Sequence, residues 1–225
     1  MTTFRLATCC VLFCLSTNTR AENVTLRITG TIQPAACMPT VVGVDSQNAI
    51  HYGTIAVPEL EDNKFKALPD KTITLLISCD APTRVAVNFL DNRSDSMIMG
   101  LSASIGPYGD VGSYGLGMHR DKRLGGYVIV PELAATADGS PVVPAWSTMP
   151  GKWNHYHAAG ANAMLRPNIA HAWTSGKGVI ATPDAYQQIT QKFTIKAALQ
   201  RKNKLQPITG PIELDGQTTI SLFYF

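Results

Sequence analysis

Charge is scarce in this chain: Asp, Glu, Lys and Arg together make up 16% of 225 residues, and the formal net charge is only +3. Such a chain lacks the long-range field that draws proteins to nucleic acid or anionic lipid. Aromatic residues are few at 8%, yet 45% of the chain is hydrophobic, which is enough to bury a core. A disordered, acidic or coiled-coil protein is thereby excluded. The 18 Gly and 14 Pro are ordinary numbers and exclude collagen-like and low-complexity classes. After residue 21 no stretch approaches the length of uninterrupted apolar sequence that a membrane-spanning helix needs.

Catalytic signatures are also missing. There is no Gly-x-Ser-x-Gly elbow and no His-Glu-x-x-His, and Ser175-Gly176-Lys177-Gly178 lacks the upstream glycine of a phosphate loop. Within Trp153-Asn154-His155-Tyr156-His157, a strand would project His155 and His157 on one side, but no spacing fixes a third ligand. Asp91-Asn92-Arg93-Ser94-Asp95-Ser96 lacks the ordered oxygen spacing of a calcium loop and reads as a solvated turn. The expectation is a protein that is not an enzyme and holds no metal or cofactor.

What is present begins with the first residues. A basic start through Arg5 leads into the apolar run Leu6-Ala7-Thr8-Cys9-Cys10-Val11-Leu12-Phe13-Cys14-Leu15, and Thr19-Arg20-Ala21 follows with small residues at a cleavage site. Residues 1–21 therefore read as a secretory signal peptide, and residues 22–225 as one exported domain. Loss of Arg5 and Arg20 takes the formal +3 down to about +1. Loss of Cys9, Cys10 and Cys14 leaves Cys37 and Cys79 of the original five. An even pair in an exported chain reads as a disulfide; two separate buried thiols or a metal-binding pair are the other readings.

Beyond the signal the pattern is mostly of period two. Val24-Thr25-Leu26-Arg27-Ile28-Thr29 alternates, as does Thr72-Ile73-Thr74-Leu75-Leu76-Ile77-Ser78-Cys79. Asp80-Ala81-Pro82-Thr83 reads as a turn into a hairpin partner, Arg84-Val85-Ala86-Val87-Asn88-Phe89. Residues 124–130, 192–199 and 217–225 are further strands. Residues 158–165 could form a short helix, and residues 133–190 read as long loops carrying Trp146, Trp153 and Trp173. Short strands separated by turns predict an all-β sandwich.

Three features together resemble a bacterial fimbrial subunit of the chaperone–usher type. Leu26-x-Ile28-x-Gly30-x-Ile32 leads into Ala35-Ala36-Cys37, Ile73-x-Leu75-x-Ile77-x-Cys79 carries the second cysteine, and the chain closes on an alternating strand behind Asp215-Gly216. The whole mature length is more particularly similar to a family of uncharacterised pilin-like proteins exported by Gram-negative bacteria. The stretches that carry this include Thr29-Gly30-Thr31-Ile32-Gln33-Pro34-Ala35-Ala36-Cys37, Tyr52-Gly53-Thr54-Ile55 and Ser78-Cys79-Asp80-Ala81-Pro82. Tyr114-Gly115-Leu116-Gly117, Leu124-Gly125-Gly126-Tyr127 and Leu214-Asp215-Gly216-x-Thr218-x-Ile220-x-Leu222-x-Tyr224 complete them.

The resemblance implies an Ig-like, pilin-like β-sandwich with long loops, the Cys37–Cys79 disulfide and an incomplete sheet edge. It also implies a structural or adhesive fimbrial subunit of the periplasm or cell surface, assembled by strand addition. Its partners would be a periplasmic chaperone, an usher and other fimbrial subunits, with neither nucleic acid nor a stable membrane anchor. Ile220, Leu222, Tyr224 and Phe225 would form the strand bound by chaperone or subunit, with Phe225 as an anchor. Val24, Leu26 and Ile28 are the candidate donor strand. A stand-alone binding module on the same sandwich is the alternative.

Overall fold

Alternating apolar residues become strands wherever another segment can complete their ladder, and the order of those ladders decides the architecture. The computed structural model describes residues 24–31, 35–149, 151–156, 164–176, 181–205 and 207–225. The signal peptide expected at residues 1–21, His157 and most of the short helix expected at 158–165 lie outside them. The chain divides into two units, Met1–Gln33 and Pro34–Phe225. In the first, residues 24–31 hold neither helix nor strand, although the sequence there alternates. Alternation alone does not make a strand when no neighbour supplies hydrogen bonds.

In the second unit the strands are β1 (Cys37–Val42), β2 (Lys66–Ala67), β3 (Lys71–Thr83), β4 (Val85–Asp91), β5 (Tyr114–Gly115), β6 (Met118–His119) and β7 (Lys122–Arg123). They continue as β8 (Gly125–Pro131), β9 (Ala135–Ala137), β10 (Ser140–Met149), β11 (Lys152–His155), β12 (Ala170–Thr174), β13 (Tyr186–Leu199) and β14 (Thr218–Tyr224). One short helix, α1 (Lys202–Leu205), follows β13. Among the described residues, a 12-stranded sheet follows the path β1-β3-β13-β9-β10-β12-β4-β14. Off this path β11 pairs β10, β2 and β8 pair β13, and β5 pairs β8, while β6 and β7 form a separate hairpin. The protein is all-β, and its pairings are antiparallel.

The path folds over at β10, whose Ser140–Val142 pairs β9 and whose Val143–Ser147 pairs β12. The core lies between the halves this creates. Ile73, Leu75 and Ile77 of β3 and Ile189, Phe193 and Ile195 of β13 pack with Val85, Val87 and Phe89 of β4 and Trp173 of β12. In β3 the alternation is strict from Thr72 to Cys79, one face buried and the other not. Cys37 stands directly opposite Cys79 in the β1–β3 ladder, and the two form the disulfide.

Two expectations are corrected here. β3 and β4 do not form a hairpin: β3 continues through Asp80-Ala81-Pro82-Thr83, and only Arg84 separates it from β4. β3 then pairs β1 and β13 while β4 pairs β12 and β14, so the chain passes from one half of the sandwich to the other. Residues 133–190 are not merely loops either, since β9 to β12 and the start of β13 lie there. Pro141 and Pro144 sit within β10, where they supply no N–H and hide the strand from a reading based on propensity.

The turn after β4 is built into the fold rather than solvated. Buried Asp91 accepts hydrogen bonds from the Arg93 amide and the Gly115 amide, each at 2.9 Å. Ser96 Oγ donates to the Arg93 carbonyl at 2.7 Å and accepts from the Gly117 amide at 2.9 Å. A Cβ at Gly115 would lie 2.1 Å from Ser96 Oγ and 2.2 Å from the Arg93 carbonyl oxygen, which explains why Tyr114-Gly115-Leu116-Gly117 needs its first glycine. Gly115→Ala is therefore expected to cost about 1–3 kcal/mol in urea unfolding, with the larger value if the backbone must move. An unchanged midpoint would show that the turn yields.

Candidate functional site

The site of interest is where the sheet path ends. Among the described residues, the outer edges of β1 and β14 have no strand partner. In an antiparallel pair, consecutive residues direct their main-chain groups alternately toward and away from the partner. The Asn92 amide donates to the Gln217 carbonyl at 3.0 Å, in register with Thr218 opposite Asp91. Thr219, Ser221 and Phe223 therefore face β4, and the main-chain groups of Thr218, Ile220, Leu222 and Tyr224 face outward. Side chains of the same strand sort differently: Ile220 and Leu222 are half-buried against the core, while Tyr224 and Phe225 are 48% and 52% exposed.

The same logic applies to β1. The Asp80 amide donates to the Ala36 carbonyl at 3.0 Å, so Cys37, Pro39 and Val41 direct their main-chain groups away from β3. Pro39 is tolerated there because an edge position requires no N–H. The outward Cys37 amide donates to the Tyr224 hydroxyl at 2.9 Å. First and last strands of the path thus meet through one side chain, and the sheet is nearly closed.

Other contacts fix the ends of β14. At its start the Tyr127 and Thr218 hydroxyls are hydrogen-bonded at 2.6 Å, and Asn92 Nδ2 donates to Thr219 Oγ1 at 2.8 Å. Just upstream Arg93 grips Asp215 with two bonds, Nε to Oδ2 at 2.8 Å and Nη2 to Oδ1 at 3.0 Å. Gly216 lies where a Cβ would come within 2.8 Å of Leu116, which gives the Asp215-Gly216 motif a packing reason. At the far end Phe225 stacks on Trp153 of β11, with ring centroids 5.3 Å apart and planes at 26°.

Of the residues singled out from the sequence, Ile220, Leu222, Tyr224 and Phe225 lie together at this seam. Val24, Leu26 and Ile28 belong to the other unit and are 93%, 84% and 90% exposed. Pro39 at the seam, and Trp153 as the partner of Phe225 at the end of β14, escaped the sequence reading. The signal for Pro39 was present, since a proline inside a strand argues for an edge. Trp153 meets Phe225 only through tertiary folding.

The tryptophans do not form a shared exposed platform. Trp173 is buried and its indole N–H donates to Gln191 Oε1 at 3.1 Å. Trp146 is half-buried beneath the Arg166 guanidinium, 5.2 Å from the ring centroid. Among the described residues no three His, Cys, Asp or Glu side chains cluster as metal ligands would. No helix among them is long and apolar enough to cross a membrane.

Comparison with known proteins matches residues 26–123 to a family described as "Protein of unknown function (DUF1120)". That stretch holds both cysteines, the turn after β4 and the Gly115 contact, and excludes β14. Over longer spans the chain is similar to "Protein GltF" of Escherichia coli (strain K12), 27% identical across 92% of this chain and 90% of that protein. It is also similar to "Uncharacterized protein YhcF" of the same strain, 24% identical across 91% of each.

Proposed function

We propose that the protein is a fimbrial-type structural or adhesive subunit, exported to the periplasm or to a surface fimbrium of a Gram-negative bacterium. In this reading it assembles by accepting an extended strand from a periplasmic chaperone or a neighbouring subunit. One observation carries it: β14 turns the main-chain groups of Thr218, Ile220, Leu222 and Tyr224 outward, beside two aliphatic side chains that are only half-buried. A bare edge of this kind is a template for strand addition. Completing the burial of Ile220 and Leu222 contributes about 2 kcal/mol. The remaining affinity must come from ladder bonds and the incoming strand's own apolar residues. The usher and other subunits are partners in the same proposal.

The near-closure of the path favours a second reading, a stand-alone binding module that needs no added strand. Amide hydrogen exchange on the purified protein separates the two. The probe is a synthetic peptide of residues 22–31, which carries the candidate donor residues Val24, Leu26 and Ile28. Strand addition is expected to slow exchange at Ile220, Leu222 and Tyr224 while leaving Thr219, Ser221 and Phe223 unchanged, because those already face β4. Ile220→Asp with Leu222→Asp is expected to abolish the effect. A stable monomer whose outward amides stay unprotected at all peptide concentrations supports the stand-alone module instead.

A further inference from the structure

We infer that Tyr224 and Phe225 form a latch that holds the seam shut in the free protein and must open before a strand can enter beside β14. This inference rests on the strand-addition reading above and concerns the regulation of that site.

Two contacts from adjacent residues fasten the end of β14, and the first of them crosses the seam. The Tyr224 hydroxyl accepts the outward Cys37 amide of β1 at 2.9 Å, and the Phe225 ring stacks on Trp153 of β11 at 5.3 Å. Both aromatic side chains are about half exposed, so neither contact is a packing requirement of the core. The partners lie far apart in sequence, Cys37 and Tyr224 being separated by 187 positions, so local geometry does not impose the contact. Each contact is of a kind that contributes modestly and reversibly.

The latch also gives the seam a direction. On the β1 side, the outward Cys37 donor is occupied by Tyr224 and Pro39 has no N–H, which leaves Val41 as the outward donor of that strand. β14 keeps outward groups at Thr218, Ile220 and Leu222. An incoming strand therefore starts its ladder on β14 near Thr218 and meets the latch last, at Tyr224. Opening exchanges the Tyr224–Cys37 bond for rungs of the new ladder, so the cost falls at the final step of docking.

The test uses the purified chain, Tyr224→Phe, Trp153→Ala and the double variant. Tyr224→Phe keeps the ring and removes only the acceptor. In free protein the Cys37 amide is expected to exchange about fivefold faster in Tyr224→Phe than in the wild type, the factor expected for loss of one hydrogen bond. The peptide of residues 22–31 is expected to associate several-fold faster with the double variant, with both single variants between. Equal Cys37 exchange in wild type and Tyr224→Phe overturns the latch. Faster exchange with unchanged peptide association overturns its role as a gate. A peptide that fails to bind even the unlatched double variant overturns strand addition itself, while Cys37 exchange still decides the latch. Unchanged melting temperatures in the single variants confirm that none of these results reflects unfolding.

Discussion

Replacing Cys37 and Cys79 together by alanine is expected to lower the unfolding free energy by about 4 kcal/mol. The bond closes a loop of sequence separation 42, and its main effect is to restrict the unfolded chain. That loss is a large fraction of the stability of an ordinary domain. Guanidinium unfolding of oxidised, reduced and double-alanine protein measures it directly. The reduced and double-alanine forms should agree with each other, apart from the small packing loss of a half-buried and a buried side chain. The β1–β3 ladder gives a second readout, because β1 is an edge strand with a neighbouring strand on one side only. Exchange at Met38, Thr40 and Val42 should rise more than exchange in β13, which lies between two neighbours. A loss below about 1 kcal/mol would mean that the reduced chain keeps this loop closed when unfolded.

The second large effect is a loss of stability in mild acid, caused by one buried ring. His171 is buried between Phe89, whose edge meets it at 5.6 Å, and Tyr156, which stacks on it at 5.6 Å. Its Nδ1 accepts the Tyr156 hydroxyl, and its Nε2 donates to the Arg166 carbonyl at 3.3 Å. Burial pushes its pKa down from 6.5 to about 3, only partly opposed by the Arg166 carbonyl. Between those values the unfolded chain binds a proton that the folded chain refuses, so stability falls as pH falls. The slope from this group approaches 1.4 kcal/mol per pH unit, and the loss at pH 4.5 is about 3 kcal/mol.

The carboxylates act in a different window. Asp184, held below 3.8 by the Ser175 amide and hydroxyl, stabilises the fold above its usual titration range and loses that effect only at lower pH. The same direction holds for exposed Asp45 through His51 and the Ala49 amide. Urea midpoints from pH 7 to pH 4.5 should therefore decline in the wild type and flatten in His171→Gln. The variant keeps an acceptor for Tyr156 without the titrating ring. An equally steep decline in His171→Gln would place the proton elsewhere. The position matters for the seam, since His171 pairs with Val87 and Val87 pairs on its other side with Leu222.

Legibility of the fold in the sequence followed the number of covered faces. β3 and β14 were legible because one face is more buried than the other, which writes period two into Ile73, Leu75, Ile77 and into Ile220, Leu222. The interior of β13 was legible for the same reason, at Phe193 and Ile195. β8 is buried almost throughout, and only its apolar composition betrayed it. β10 and β12 mix Val142, Val143, Trp146 and Trp173 with Ala, Ser, Thr and two Pro, so no regular alternation marks them and the ladders they join fix their strand character. Asp80-Ala81-Pro82-Thr83 carries the residues of a turn, yet β3 runs through it, because Arg84 alone makes the passage between the halves. The seam was half legible. Alternation in the last strand marks Ile220, Leu222 and Tyr224, but nothing local reveals which neighbour Tyr224 or Phe225 meets.

The Cys37–Cys79 bond has a mechanical consequence. A pull along β14 enters β4 through their antiparallel ladder and reaches Cys79 by way of Arg84. There the covalent link offers a shortcut to Cys37, so tension bypasses the chain between the two cysteines. With a separation of 42 residues, about 140–150 Å of contour is withheld from stretching for as long as the bond is intact. Fully stretched, the protein would extend about 140–150 Å further when reduced than when oxidised, which makes its compliance a function of redox state.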